Sequence, residues 1–369
     1  MKYYLIAGEA SGDLHGSNLM KEILKQDPQA EFRFWGGDLM QEQGGTLVRH
    51  YRELAFIGFV EVLANLRTVL RNLRQCKKDV EAYRPDVLVL IDFPGFNLKI
   101  AEFAKAKGMK VCFYISPKIW AWNQKRVHRI KKAVDRMLCI LPFELDFYKR
   151  FDFDADYVGN PLMDAIDSYP YNPEFLVRHG LEGKKYIALL PGSRRMELEK
   201  IFPEMLRVRK HFPGYAFVIA GAPGLDPSYY ERFGLTKEDR IVFGQTYDIL
   251  KHAHAALVTS GTATLETALF RVPQVVCYKA NSLSVGIARM LVKIRFISLV
   301  NLIADREVVR ELIQEDCSEA RISTELQKIL GDSDERTQML KDYEELAQKI
   351  GPAGASARAA AVILQEARK

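Results

Sequence analysis

Two glycine-bearing turns in the second half of the chain each stand directly behind an apolar run of strand length. The first is Ile187-Ala-Leu-Leu-Pro-Gly-Ser-Arg194, the second Ala255-Ala-Leu-Val-Thr-Ser-Gly-Thr-Ala-Thr-Leu-Glu266. Small hydroxylic residues end each run and a helical pattern follows. Backbone N–H groups at a helix N-terminus then face outward at a strand's carboxyl end, where phosphate binds readily. Two such turns suit a diphosphate held from two sides by Gly192, Ser193, Gly261 and Thr262. Neither turn has the spacing of a P-loop or of a dinucleotide fingerprint, which argues against an ATPase and an NAD enzyme. Arg194 begins a helix, where the dipole disfavours a cation, so an anionic ligand is expected between them. Thr262 is a candidate N-cap. Glu266 lies four residues on rather than the three of a capping box, and its carboxylate suits the two ribose hydroxyls of a nucleotide.

The first half has its own polar turns. Gly8-Glu-Ala-Ser-Gly-Asp-Leu-His-Gly16 crowds Glu9, Ser11, Asp13 and His15 behind the first apolar run, although Asp13 serves equally well as a helix cap. Asp92 ends the most apolar run, Val87-Leu-Val-Leu-Ile91, and is the leading candidate for a general base, with His15 and Glu9 behind it. Ser116-Pro-Lys-Ile-Trp-Ala-Trp122 precedes a basic cluster, and Trp122 offers a face for a sugar. Residues 59–73 are amphipathic: Phe59, Leu63, Leu66, Leu70 and Leu73 recur at helical spacing, with Arg67, Arg71 and Arg74 beside them. This pattern fits either a helix laid on a sheet or one that meets lipid. The acidic run Asp152-Phe-Asp-Ala-Asp156 alternates like a strand with its carboxylates in solvent, and His252 and His254 diverge on a helix, so no metal site is expected.

These turns need a scaffold. In 369 residues, apolar runs alternate with helical patterns, which predicts an α/β protein with parallel sheets. Strands are expected at residues 3–7, 32–35, 87–91, 111–115 and 137–141, then at 186–190, 216–220, 241–243, 255–258 and 274–277. The predicted division is a first domain over 1–160, a second over 161–331 and a helical tail over 332–369. Two Rossmann-like halves facing a central cleft would bring both sets of strand ends to one ligand. The net charge of +6 permits an anionic substrate or a membrane surface, and no nucleic-acid-binding pattern is present. Five dispersed cysteines read as reduced and buried. No run is long enough to span a bilayer, so a cytoplasmic protein is expected.

At this point a resemblance is visible nearly end to end. It rests on Ala7-Gly-Glu-Ala-Ser-Gly-Asp13, Phe56-Ile-Gly-Phe-Val-Glu-Val62, Asp92-Phe-Pro-Gly-Phe-Asn97, residues 116–126, Leu141-Pro-Phe-Glu144, Leu190-Pro-Gly-Ser-Arg194, residues 260–266 and Asn301-Leu-Ile-Ala304. Together these resemble the lipid-A-disaccharide synthases, inverting glycosyltransferases of GT-B architecture. The resemblance implies transfer of 2,3-diacylglucosamine from its UDP carrier to 2,3-diacylglucosamine 1-phosphate, with no cofactor. It adds Asn301 to the donor site and Ser11, Asp13, Ser116 and Trp122 to the acceptor side. It also implies peripheral attachment to the cytoplasmic face of the inner membrane, and a homodimer with exchanged C-terminal segments. The chain departs from the family pattern at Gly95, Lys118, Asn123, Asn160 and Val300. The rival reading is another GT-B enzyme that uses UDP-N-acetylglucosamine.

Overall fold

The computed structural model describes residues 1–54, 66–222, 224–236, 239–280 and 295–369; the side chain of Leu66 is outside this set. The chain divides into two compact units, Met1–Asp167 with Ile350–Lys369, and Ser168–Lys349.

Among the described residues the first unit holds a sheet of seven parallel strands: β1 (Lys2–Ala7), β2 (Glu31–Gly36), β3 (Thr46–His50), β4 (Val87–Ile91), β5 (Val111–Tyr114), β6 (Arg136–Cys139) and β7 (Asp156–Tyr157). Their order is β3-β2-β1-β4-β5-β6-β7. The second unit's sheet has six described strands: β8 (Tyr186–Leu190), β9 (Ala216–Gly221), β10 (Arg240–Phe243), β11 (Ala255–Thr259), β12 (Gln274–Tyr278) and β13 (Arg310–Ile313). These run β10-β9-β8-β11-β12-β13, also all parallel. Both sheets are doubly wound. The strand order reverses between β1 and β4 in one and between β8 and β11 in the other, and ligands of such sheets bind beyond the carboxyl ends at that reversal.

All ten expected strands are present. The three not foreseen, β3, β7 and β13, are edge strands. Less covered, they carry polar residues (Thr-Leu-Val-Arg-His, Asp-Tyr and Arg-Glu-Leu-Ile) and so lack a continuous apolar run. Asp156 lies on β7 and forms a paired contact with Arg136, at 2.9 and 2.6 Å.

The boundary expected at 160 falls at 167 because helix Pro161–Asp167 is tied to the end of the chain. The Asp164 carboxylate accepts the N–H groups of Ala355 and Ser356, at 3.1 and 3.0 Å, and so caps helix Ala355–Ala367. That helix buries Ala359, Ala360, Ile363 and Leu364 in the first unit's core with Leu19, Met20 and Ile23 of helix Ala10–Gln26. Each large aliphatic side chain buried there contributes about 1.5–3 kcal/mol. The expected tail is therefore split. Helix Asp334–Ile350 serves the second unit through Lys349, with Tyr343 accepting from Gln274 on β12. The five cysteines are all buried thiols.

Candidate active site

In the second unit, both glycine turns flank the reversal point. β8 and β11 are neighbours, with Leu190 opposite Val258. Gly192 has φ +101°, and a Cβ there would meet the Glu197 carboxylate at 2.6 Å and the Thr259 methyl at 3.4 Å. Only glycine suits this position. Helix Arg195–Arg207 follows, with Arg194 at its N-cap and no side-chain cap. Arg194 is exposed and reaches Glu197 at 3.3 Å, so the cation expected to await an anion already has a weak surface partner. Helix Thr262–Leu269 starts one residue earlier than a Thr262 cap would require. Gly261 is its N-cap and supplies no side chain, and Gly261 and Thr262 are both exposed. The first N–H groups of this eight-residue helix are thus left to whatever binds the turn. Glu266 lies half-buried one turn in, accepting from the Tyr247 hydroxyl at 3.0 Å. Burial raises its pKa, and the Tyr247 bond opposes that shift.

In the first unit the register sets three strand ends side by side: Ala7 opposite Ile91, and Ile91 opposite Tyr114. Asp92 follows β4, with Gly8 and Glu9 after β1 on one flank and residues 115–118 after β5 on the other. Asp92 and Phe93 both take left-handed backbone conformations, φ +45° and +50°, which are strained for residues with side chains. Asn97 compensates, donating its amide to the carbonyls of Asp92 at 2.7 Å and of Ile91 and Ile6 at 3.3 Å. Phe93 leaves no room for a side chain at Gly8, whose Cβ would lie 2.4 Å from the ring. The Asp92 carboxyl is pushed above its usual value, first by burial, then by Glu9; Lys118 and the Phe93 N–H oppose the shift. Beside it, Leu54, Val69, Asn72, Phe93, Gly95, Phe96 and Lys99 line a mostly apolar groove of about 180 Å³.

A model of the Lipid-A-disaccharide synthetase family matches residues 3–365. The lipid-A-disaccharide synthase of Syntrophus aciditrophicus is 39% identical over 99% of this chain and 97% of its own length. That of Myxococcus xanthus is 37% identical over 98% and 96%. The chain belongs to the lipid-A-disaccharide synthase family. It is therefore a glycosyltransferase of lipid A disaccharide synthesis. Two solved structures share its GT-B-type fold at low identity. The UDP-GlcNAc 2-epimerase of Neisseria meningitidis bound to UDP-GlcNAc has a TM-score of 0.68 at 12% identity, covering 99% of this chain and all of that one. The calicheamicin glycosyltransferase CalG4 has a TM-score of 0.62 at 16% identity, covering 99% and 97%.

Within this lipid-A-disaccharide synthase family member, several expected site residues make bonds within the scaffold. Asp13 is buried, and its carboxylate accepts the N–H groups of Gly37, Leu39 and Met40 at 2.7–3.1 Å, capping helix Asp38–Glu42. Asn301, expected at the donor, is fully buried. Its amide donates to the Val309 carbonyl and Glu311 and accepts from the N–H groups of Val308 and Val309, at 2.8–2.9 Å. All its bonding capacity is spent within the second unit, where it locks the chain around Val308 and Val309. Ser116 is buried against the Tyr148 hydroxyl at 2.9 Å.

The remaining candidates differ in what they offer. Burial lowers the His15 pKa to about 4, so its imidazole is neutral at pH 7; its buried Nδ1 has no hydrogen-bond partner among the described residues. Glu9 and Ser11 are exposed. Trp122 is half exposed, with the Arg126 guanidinium 4.5 Å from its ring centre. In helix Leu66–Tyr83, Leu73, Cys76 and Val80 face the core, whereas Arg67, Leu70, Arg71 and Arg74 are exposed. Phe59 and Leu63 lie outside the described residues.

Sequence reasoning gave Glu144 and Asn97 no role. Glu144 is fully buried, accepting from Trp120 Nε1 at 3.2 Å and from the N–H groups of Leu141 and Ile140 at 3.1 and 3.3 Å. It thereby ties the β5 connection to the β6 connection. Burial pushes its pKa up to about 7. The signal was a carboxylate five residues after the strand Arg136–Cys139, within Leu141-Pro-Phe-Glu144.

Proposed function

We propose that the chain moves 2,3-diacylglucosamine, with inversion, from UDP-2,3-diacylglucosamine to the 6-hydroxyl of 2,3-diacylglucosamine 1-phosphate. The products are the β-1,6-linked disaccharide 1-phosphate and UDP. The observation that carries this reading is Asp92: a carboxylate with a raised pKa at the reversal point of the first sheet, held on a strained and locked backbone. The acceptor oxygen bonds to the donor's anomeric carbon as that carbon's bond to the diphosphate oxygen breaks. The electron pair leaves on UDP, and Asp92 takes the hydroxyl proton. The open N–H groups behind Gly192 and Gly261, with Arg194, stabilise the departing charge, and Glu266 accepts from the ribose. The Neisseria epimerase of this fold is bound to UDP-GlcNAc, which supports a UDP-sugar donor.

The groove beside Phe93 takes part of an acyl chain in this reading. The enzyme works as a peripheral protein on the cytoplasmic face of the inner membrane. Support comes from exposed Leu70 beside Arg67 and Arg71, and no described helix is long and apolar enough to cross a membrane. A homodimer would exchange the C-terminal segment that ends in helix Ala355–Ala367.

The test mixes purified protein with donor and acceptor and follows disaccharide and UDP by mass spectrometry. Turnover persists in EDTA. Asp92→Asn lowers it about 10²–10⁴-fold with UDP binding intact. Wild-type turnover by Asp92→Asn, or transfer from UDP-N-acetylglucosamine but not from the acylated donor, overturns the reading.

A further inference from the structure

Three strand ends of the first sheet set two opposite charges on either side of Asp92. Ile91 pairs with Ala7 of β1 on one side and with Tyr114 of β5 on the other, and the Asp92 N–H bonds the Tyr114 carbonyl at 3.0 Å. Among the described residues, the charged groups acting on the Asp92 carboxyl are Glu9, from the β1 connection, and Lys118, from the β5 connection, together with the Phe93 N–H.

The Lys118 segment is fixed from beneath. Ile115 takes a left-handed conformation, φ +67°, with its N–H on the Leu138 carbonyl at 3.1 Å. Ser116 is anchored on Tyr148 and Trp120 on Glu144, all four buried. Between these anchors Lys118 alone is exposed, and none of the ion pairs among the described residues includes it. Its ammonium is uncommitted while its backbone is held. Such an arrangement lends a carboxylate positive potential without a salt bridge that would block it from accepting a proton.

We propose that Lys118 is a positioning residue for transfer: set opposite Glu9 across Asp92, its charge keeps Asp92 ionised and ready to accept the acceptor's proton. This rests on Asp92 being the base. The signs follow from electrostatics. A cation favours the carboxylate, so removing Lys118 makes Asp92 harder to ionise. Glu9 is a like charge, so removing it makes Asp92 easier to ionise.

The experiment is the pH profile of kcat/KM for the wild type, Lys118→Met, Lys118→Arg and Glu9→Gln, with melting temperatures at each pH. The acceptor's own phosphate titrates alike with every variant, so differences between profiles report Asp92. Lys118→Met moves the acid limb up by roughly half a unit to one unit. Lys118→Arg restores it, and Glu9→Gln moves it down. A purely structural Lys118 would lower kcat at every pH and leave the limb in place. An unmoved limb in Lys118→Met, or a shift of the same sign in Lys118→Met and Glu9→Gln, overturns the proposal. Asp92→Asn runs alongside. If it keeps wild-type turnover, the base assignment itself has failed; if it loses turnover while the Lys118→Met limb stays, only the role of Lys118 has.

Discussion

The side-chain amide of Asn97 donates to the main-chain carbonyl of Asp92 at 2.7 Å, and so holds the residue offered as the base from within the following helix, Pro94–Ala106. The same amide reaches the ends of β1 and β4, through Ile6 and Ile91. One side chain thus fixes the strand ends and the left-handed turn that aims the carboxylate. Replacing it with leucine removes the three bonds and leaves buried carbonyls unpaired, at a cost of about 1–3 kcal/mol. Asn97→Leu is expected to lower both urea-unfolding stability and turnover, with UDP affinity retained. An unchanged turnover would show that the strained turn needs no such clamp.

Gly8 makes the complementary contact. Its missing side chain is the space filled by the Phe93 ring. Gly8→Ala forces the ring away and, with it, the residue after Asp92. Turnover is expected to fall at least about tenfold, in keeping with the sensitivity of reacting groups to ångström-scale displacement. Steady-state kinetics with circular dichroism separates this from unfolding. Phe93→Ala in the Gly8→Ala background should recover part of the loss if the clash is the cause.

Glu144 predicts a pH dependence of stability. Its pKa is raised to about 7 in the folded protein, from an ordinary 4.5. The folded state therefore holds a proton that the unfolded state has released between those values. The contribution is fully present below about pH 4.5 and is lost as pH rises through 7, amounting to roughly 3 kcal/mol at most. Glu144→Gln should flatten the stability profile over this window. Urea melts at pH 5 and pH 8, followed by Trp120 fluorescence, measure it; parallel profiles for the two proteins would rule it out.

Most of the fold was legible because its central strands are covered on both faces and read as unbroken apolar runs. Three of the four described edge strands were not, since β3, β7 and β13 carry polar residues where one side has no neighbour. The turns were legible along with the strands: glycine and hydroxyl residues directly behind an apolar run mark a chain that leaves a strand end and bends into a helix. What sequence could not separate was a polar residue aimed at a ligand from one aimed at the backbone. Asp13 and Asn301 sit in the same kind of segment as Asp92 and Glu266, yet cap a helix and lock a loop through partners 24 to 27 and 7 to 10 positions away. Such partners are set by chain return, which residue spacing does not encode. The return of helix Ala355–Ala367 to the first unit was hidden likewise, because its alanine-rich pattern says helix without saying against what.

That separation is itself testable in the second unit. Arg194 is exposed and lightly paired, whereas Asn301 is buried and fully bonded. Arg194→Ala should leave stability unchanged within about 0.5 kcal/mol and cost roughly 2–4 kcal/mol of transition-state stabilisation. Asn301→Ala should do the reverse, losing about 2–4 kcal/mol of folding stability. UDP affinity should persist in the molecules that remain folded. Calorimetric UDP titration and urea melts on both variants decide it. Loss of UDP binding in a stable Asn301→Ala would return Asn301 to the donor site.

The last prediction concerns the lipid surface. Helix Leu66–Tyr83 divides its sides: Leu73, Cys76 and Val80 are buried, while Leu70 stands 42% exposed beside Arg67, Arg71 and Arg74. An exposed leucine among arginines pairs a small apolar insertion with cations that attract anionic headgroups at about 1 kcal/mol each near the surface. Leu70→Ser should therefore weaken binding to vesicles containing anionic lipid without lowering the melting temperature, since Leu70 is not among the buried core residues. Arg67→Glu with Arg71→Glu should weaken it further, and the loss should shrink in high salt, where the charge attraction is screened. Leu73→Ser is the control: it opens the core and should destabilise the fold by about 2–4 kcal/mol whatever happens at the vesicle. Co-sedimentation with vesicles, alongside melts, reads all of these. Wild-type vesicle binding by both Leu70→Ser and the double charge reversal would remove this helix face from the membrane contact.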